Sequence, residues 1–296
     1  MLDCLIIGGG PAGLVAGTYL KRFHREVAIV DEGLSRTRWI TKSHNVPGFP
    51  AGISGVRMLR RMRQHAQRMQ VAFHHHRIES LHRNADGFHA FGGDCAWQAR
   101  TVVLATGVID RTPPLPGLRD AIRRGIVRLC PVCDAYEASG KRIAIYGRAG
   151  EDLQTHARFL RTYSPHVITV LENGGAAEPT HDAASDGMET ISSPHTVVFD
   201  HRSCRITDRY RSVEVDVLYI ALGVDAQSSL AEMLGIDTDD DEGLVVDEQM
   251  QTRVSGLYAV GDLVSGLNQI STAVGQGAVA ATAIHRRLPS NWMSGQ

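Results

Sequence analysis

The sequence predicts an α/β fold of two βαβ-built domains, the central one inserted into the other, and three observations predict it. Leu2 to Ile7 is a short apolar run that opens on a glycine cluster; a helix-like stretch and a second apolar strand, Val27 to Val30, complete a βαβ unit within about thirty residues. A second such unit begins at Arg142 to Tyr146 and continues in Val167 to Leu171. A last strand and turn, Leu257 to Asp262, returns late in the chain, as expected when one domain interrupts another.

Each element follows from its residues. Leu2 to Ile7 is a short apolar run, which suits a parallel strand buried on both faces. Leu14 to Phe23 reads as a helix with small residues along one side, and Val27 to Val30 ends at Asp31. The stretch from Arg36 to Gly55, rich in Gly, Pro, Ser and Asn, predicts a loop. Val56 to Met69 reads as an exposed, arginine-rich helix, and Val71 to Phe73 as a strand leading into His74-His75-His76. Thr101 to Leu104 is another buried strand, ending in Ala105-Thr106-Gly107. Pro113 to Gly117, stiffened by proline, marks the crossing into the central domain. Residues 173–193 read as a loop or an eroded element, Val215 to Leu222 as a strand entering Gly223, and Gln269 to His285 as a closely packing helix.

Composition narrows the function classes. A chain of 296 residues accommodates two cores. With a net charge of -1 and 14 histidines counted neutral, the chain gives no reason to expect nucleic acid or an anionic membrane as partner. No apolar run approaches the ~20 residues that span a bilayer, and Met1-Leu2-Asp3-Cys4 enters a strand without a leader-like region. Five cysteines make a poor secreted disulfide scaffold, so a cytoplasmic setting is expected, where a close pair is catalytic or metal-binding.

Gly8-x-Gly10-x-x-Gly13 lies between strand and helix, with Asp31 ending the next strand. The first glycine allows the turn, the second lets backbone approach a pyrophosphate, and the third lets helix and strand close up. The helix N-terminus, opening on Pro11 and Ala12, offers free N–H groups to phosphate, and Asp31 can accept from ribose hydroxyls. This is a Rossmann-like dinucleotide-binding domain. Leu104-Ala105-Thr106-Gly107 and Tyr258-Ala259-Val260-Gly261-Asp262 resemble two further signatures of FAD-dependent pyridine nucleotide-disulfide oxidoreductases. By that resemblance Asp262 contacts the ribityl-pyrophosphate region, and Gln269, Ile270 and Ala273 lie against the flavin. Ser43 to Gly48, with Asn45, resembles the segment along the isoalloxazine.

Cys130-Pro131-Val132-Cys133 is followed by Asp134. A CxxC on a turn before a helix makes an exchangeable disulfide, and Asp134 can move a proton as a thiolate forms and leaves. Zinc would need two more ligands, and Cys4, Cys95 and Cys204 are scattered, so no metal site is expected. Together these motifs resemble low-molecular-weight thioredoxin reductases along nearly the whole chain. The resemblance implies an FAD-binding domain from 1–115 and 245–296, a central NADPH-like domain over 116–244, and a homodimer. It further implies that Cys133 faces the flavin, Cys130 exchanges with a partner disulfide, and Asp134 is the acid.

One part departs from that pattern. The second glycine loop reads Gly147-Arg148-Ala149-Gly150-Glu151-Asp152, with two acids where a helix start would meet pyrophosphate. After Val167 to Leu171 stands Glu172-Asn173-Gly174-Gly175, with no basic cluster for a 2'-phosphate. Loss of NADPH binding is the favoured reading; NADH held through Glu172, or compensation by Arg148, are the others. The expected activity is FAD-dependent thiol-disulfide exchange with a thioredoxin-like protein or a small disulfide or dithiol, driven by a donor such as ferredoxin. The alternatives are a flavin dithiol oxidase using oxygen and a flavin redox sensor without turnover. Trp292, the one large aromatic after Tyr258, is expected to cover a flavin face that no nicotinamide visits.

Overall fold

The first unit of the chain opens with the expected βαβ: β1 (Leu2–Ile7), α1 (Pro11–Arg22) and β2 (Val27–Val30). In this computed structural model residues 1–172, 188–192, 194–238 and 243–292 are described. The chain continues through α2 (Gly55–Arg68), β3 (Ala72–His74), β4 (Ser80–Asn84), β5 (Gly87–Gly92) and β6 (Cys95–Leu104). It leaves along β7 (Val108–Asp110) for α3 (Leu118–Arg124), β8 (Val127–Arg128), α4 (Pro131–Asp134), β9 (Ile143–Gly147), α5 (Glu151–Arg161) and β10 (Val167–Leu171). β11 (Glu189–Ser192), β12 (Thr196–Phe199), β13 (Cys204–Thr207), β14 (Ser212–Val215) and β15 (Val217–Ala221) follow. β16 (Val224–Ala226) leads back to α6 (Ser229–Glu232), β17 (Leu257–Ala259) and α7 (Ile270–Arg287).

Contacts divide the chain into two units. One comprises Met1–Arg38, Ser54–Ile109 and Asp225–Gln296, the other Trp39–Ile53 and Asp110–Val224. Relative to the expected bounds, 225–244 group with the first unit, and 39–53 and 110–115 with the second.

In the first unit the strand order is β3-β2-β1-β6-β5-β4, with β17 beside the C-terminal end of β6. β1 pairs in parallel with both β2 and β6, so Leu5 stands level with Ala28 and Val102. Successive β1 side chains point to opposite faces. Cys4 and Ile6 join Leu14, Ala16 and Leu20 of α1, with Ala280 and Ile284 of α7. Leu5 and Ile7 join a second cluster with Val30, Leu81, Phe88 and Leu263. Burial on both faces explains why β1 reads as a continuous apolar run. The small residues of α7 serve close packing: a Cβ on Gly277 would meet the Ala12 carbonyl at 2.4 Å.

The second unit carries a sheet in the order β11-β10-β9-β15-β8 and an antiparallel sheet β12-β13-β14. Its buried side chains fall into two clusters, one with Ala144, Tyr146, Val170, Ile206 and Leu218, the other with Ile143, Ile145, Leu153, Leu160 and Tyr219.

Several elements depart from the sequence reading. The strand expected over Val215 to Leu222 is two, β14 and β15, separated at Asp216, whose carboxylate accepts from the Arg142 backbone N–H at 2.8 Å and from Arg142 Nη2 at 2.7 Å. Of the loop or eroded element expected at 173–193, residues 189–192 form β11 in parallel with β10; 173–187 and 193 lie outside the described residues. The hairpin β4–β5 and the strand β12 were not read from the sequence; each carries polar residues and no long apolar run. Among the described residues no helix is long and apolar enough to cross a membrane.

Candidate functional site

The glycine loop is shaped by close approaches. Gly8 has φ 111°, a left-handed conformation, and a Cβ there would lie 2.2 Å from the Ala105 carbonyl oxygen. A Cβ on Gly13 would lie 2.1 Å from the Gly8 carbonyl, so only glycine lets α1 pack onto the end of β1. Gly10 is different: a Cβ there would meet only Ser35 Oγ at 3.5 Å, which leaves its outer face open. Gly10 caps α1 without a side-chain hydrogen bond, Pro11 starts the helix, and the first turn holds no acid. Free N–H groups and an open glycine face make a cradle for pyrophosphate, so the residues present fit FAD on the phosphate side.

Other expected cofactor residues gather around this loop in the first unit. The Asp31 carboxylate lies against it, since a Cβ on Gly9 would meet Asp31 Oδ2 at 2.5 Å; Arg63 Nη1 stands 3.8 Å from the same oxygen. Ala105 donates its N–H to the Ile7 carbonyl, Thr106 Oγ1 donates to the Gln227 carbonyl at 2.7 Å, and Gln227 N–H donates to the Gly107 carbonyl. Gly261, at φ 78°, brings three elements together: a Cβ there would stand 3.2 Å from that of Ala12 and 3.9 Å from that of Ala273. Its N–H donates to Gln276 Oε1 at 2.7 Å. Asp262 is paired with Arg36 at 2.9 Å, Gln269 caps α7, and Ile270 is its first residue. Sequence reasoning missed Arg36, Arg63 and Gln276, because each lies on an element whose local pattern carries no motif.

Asn45 and Trp292 are the remaining expected flavin residues. Asn45 belongs to the second unit, where Ser43 Oγ donates to its Oδ1 at 2.7 Å. Trp292 is 90% exposed. Its neighbour Asn291 donates from Nδ2 to the Phe23 and His24 carbonyls, and Arg25 Nη1 donates to the Pro289 carbonyl. The tail is therefore tied to the C-terminal end of α1, about 18 Å along the helix from the phosphate loop. Trp292 follows directly on this anchored segment.

In the second unit Cys130 and Cys133 form a disulfide with Cα atoms 5.3 Å apart. Cys130 is extended, Pro131 turns the chain, and the Cys133 N–H donates to the Cys130 carbonyl at 3.1 Å, so the CxxC closes on itself. Asp134 follows with its carboxyl turned into a buried group. Tyr219 Oη donates to its Oδ1 at 2.8 Å, and Arg128 Nη1 donates to its backbone carbonyl at 2.7 Å. Burial raises the Asp134 carboxyl above its ordinary range; the Arg128 charge and the Tyr219 hydroxyl oppose that rise, and Glu137 adds to it. Burial likewise holds the Tyr219 hydroxyl protonated. An aspartate held toward its neutral form beside a disulfide can both give and take a proton. Neither Arg128 nor Tyr219 was legible in advance: Tyr219 sits within an apolar strand, and Arg128 reads as one arginine among many. Two of the three free thiols, Cys4 and Cys204, are buried. Burial pushes Cys4 and Cys204 up to about 12.

The second glycine loop is occupied by its own charges. Gly147 ends β9 where a Cβ would strike the Ala221 carbonyl at 2.7 Å. Arg148 Nε then pairs with Glu172 Oε2 at 3.0 Å, and Glu151 and Asp152 fill the first turn of α5. The expected ribose acceptor and the expected compensating cation thus neutralise each other.

Residues 2–277 match the family described as pyridine nucleotide-disulphide oxidoreductase. The thioredoxin reductase of Mycolicibacterium smegmatis is 28% identical, over 97% of this chain and 96% of its own length. That of Bacillus subtilis (strain 168) is 25% identical, over 95% of this chain and 93% of its own. Among solved structures, the thioredoxin reductase from Streptococcus pyogenes MGAS5005 matches with a TM-score of 0.86 at 25% identity, covering 97% of each chain.

Proposed function

The chain belongs to the pyridine nucleotide-disulphide oxidoreductase family, and from that premise we propose how it works. It is a FAD-dependent disulfide oxidoreductase of the thioredoxin reductase-like kind. FAD supplies two-electron redox chemistry when bound. In our reading Gly8, Gly10, Pro11, Ala12 and Gly13 hold the pyrophosphate, Asp31 the ribose, and Ala105, Thr106, Gly107, Gly261 and Asp262 the middle of the cofactor. Asn45, Gln269, Ile270 and Ala273 serve the flavin.

The observation that carries the reading is the Cys130–Cys133 disulfide followed by the half-buried Asp134. Cys133 receives electrons on the flavin side and Cys130 exchanges outward. The S–S bond breaks as two electrons arrive, and one of the two sulfurs takes a proton from Asp134. Cys130 then attacks a disulfide of a thioredoxin-like protein, one partner sulfur leaves as a thiol, and Cys133 attacks the mixed disulfide to release the second. This restores the Cys130–Cys133 bond with atoms and electrons balanced. The protein works as a homodimer in this reading.

The donor is other than NADPH, and ferredoxin is the proposed one. Glu151 and Asp152 oppose an incoming pyrophosphate, and the Arg148–Glu172 pair must open before either could meet a ribose or phosphate. The same features favour a second reading, a dithiol oxidase, in which a small dithiol reduces the pair and oxygen takes the electrons. Anaerobic titration of the holoenzyme with NADPH, NADH, reduced ferredoxin and dithiothreitol, following flavin bleaching, separates these. Bleaching by ferredoxin alone supports the reductase; bleaching by dithiothreitol alone, with fast reoxidation in air, supports the oxidase.

A further inference from the structure

The group around Asp134 has a direction built into it. Arg128 has no hydrogen-bond acceptor, so at 3.3 Å its Nη1 can only donate to Tyr219 Oη. The hydroxyl has one proton, and it goes to Asp134 Oδ1 at 2.8 Å. With Oδ1 engaged as acceptor, Oδ2 is the oxygen left to carry a transferable proton. Arg128 is itself fixed by the Gly125 carbonyl through Nε at 3.4 Å and by the Asp134 carbonyl through Nη1 at 2.7 Å. Its Nη1 stands 3.6 Å from Asp134 Oδ1. Tyr219 is fully buried in the sheet core, so its ring cannot swing away. Glu137, on the turn after α4, is the other charge acting on Asp134.

We propose that Arg128 and Tyr219 are positioning residues for proton transfer at Asp134: Tyr219 fixes which carboxyl oxygen carries the proton, and Arg128 orients Tyr219. Together they set the pH range over which the cysteine pair exchanges. This rests on the reading of Asp134 as the proton-transfer group. Both partners favour the ionised carboxyl, Arg128 through its charge and Tyr219 through its donated hydrogen bond, so removing either favours the protonated form.

The test uses FAD-loaded protein reduced with dithiothreitol, desalted anaerobically and mixed with bis(2-hydroxyethyl) disulfide, which has no titrating group. Asp134 takes the Cys130 proton as the sulfur attacks. Two molecules of 2-mercaptoethanol leave, and the Cys130–Cys133 bond re-forms, measured by acid quench and mass spectrometry. In the wild type the rate falls on the acid side as Asp134 becomes protonated. Tyr219→Phe should move that limb to higher pH, so the rate at a fixed pH on it drops. Arg128→Met should move it further, and Arg128→Lys should return it toward wild type. Asp134→Asn should remove it and leave only the fall that the Cys130 thiol's own ionisation imposes on the exchange. If Asp134→Asn changes the profile in this way while Tyr219→Phe and Arg128→Met leave the limb in place, the positioning role is overturned and the role of Asp134 stands. If Asp134→Asn leaves the pH profile as in the wild type, the reading of Asp134 falls and this inference with it. Should Arg128→Met fail to fold, Tyr219→Phe, which removes one oxygen from a ring held in the core, decides alone.

Discussion

At the scale of single residues, the chemistry rests on which sulfur can become a thiolate. Cys4 and Cys204 are held protonated by burial, whereas Cys130 and Cys133 are half-buried at the head of a turn. Iodoacetamide at pH 7 should therefore leave Cys4 and Cys204 unlabelled in the folded protein. Prior reduction should add label at Cys130 and Cys133, as read by peptide mass spectrometry; labelling of either buried thiol without unfolding would contradict the burial argument. Cys133→Ser should stop electron flow from flavin to disulfide. Cys130→Ser should leave a Cys133 thiolate beside oxidised flavin and give a broad long-wavelength charge-transfer band. Full activity in both variants toward every disulfide tried would remove the pair from the mechanism. The CxxC and its following aspartate were legible because they are contiguous. Arg128 and Tyr219 were not, because they reach Asp134 from β8 and β15 only once the sheet has formed.

At the scale of elements, two strand-to-helix turns differ in the charge and space they offer at a helix start. The turn into α1 has an open glycine and no acid in its first turn; the turn into α5 has Glu151 and Asp152. The positive end of a helix favours anions from outside only where its own side chains have not supplied them. Gly10→Glu should bring a side chain and a negative charge into the open face and yield protein without FAD, measured by the flavin-to-protein absorbance ratio. A variant that still carries about one flavin per chain would refute this assignment of the loop. Gly13→Ala forces a Cβ onto the Gly8 carbonyl, and α1 cannot shift without disturbing Gly277 of α7. It should cost about 1–3 kcal/mol by overpacking, visible as a lowered thermal midpoint. The strands β1, β2 and β9 were readable because their buried residues form nearly unbroken apolar runs. The hairpin β4–β5 escaped notice because its apolar residues are isolated between polar ones, and pairing with β6 completes it.

At the scale of the whole molecule, the electron source is the open question of function, and NADPH should be a poor reductant. Micromolar NADPH should leave the flavin spectrum nearly unchanged under anaerobic conditions; fast stoichiometric bleaching would restore the ordinary nicotinamide role, and bleaching by NADH alone would assign Glu172 to a ribose. Tertiary contacts hold the C-terminal tail: Arg25, buried at 3% exposure, and Asn291 tie the residues before Trp292 to the C-terminal end of α1. The sequence by itself determined the fold class, the dinucleotide loop and the redox pair, because each is written in contiguous residues whose backbone demands are local. Only the tertiary structure decided the partners of the acids. Asp31 meets Arg63, Asp262 meets Arg36, Glu172 meets Arg148, and Asp134 meets Arg128 and Tyr219. In every case except Asp134 with Arg128 the two residues lie more than twenty positions apart, and even that pair sits on different elements. The chemistry of a carboxyl group depends on charges and donors within a few ångströms, and which ones arrive there is fixed by how strands and helices pack.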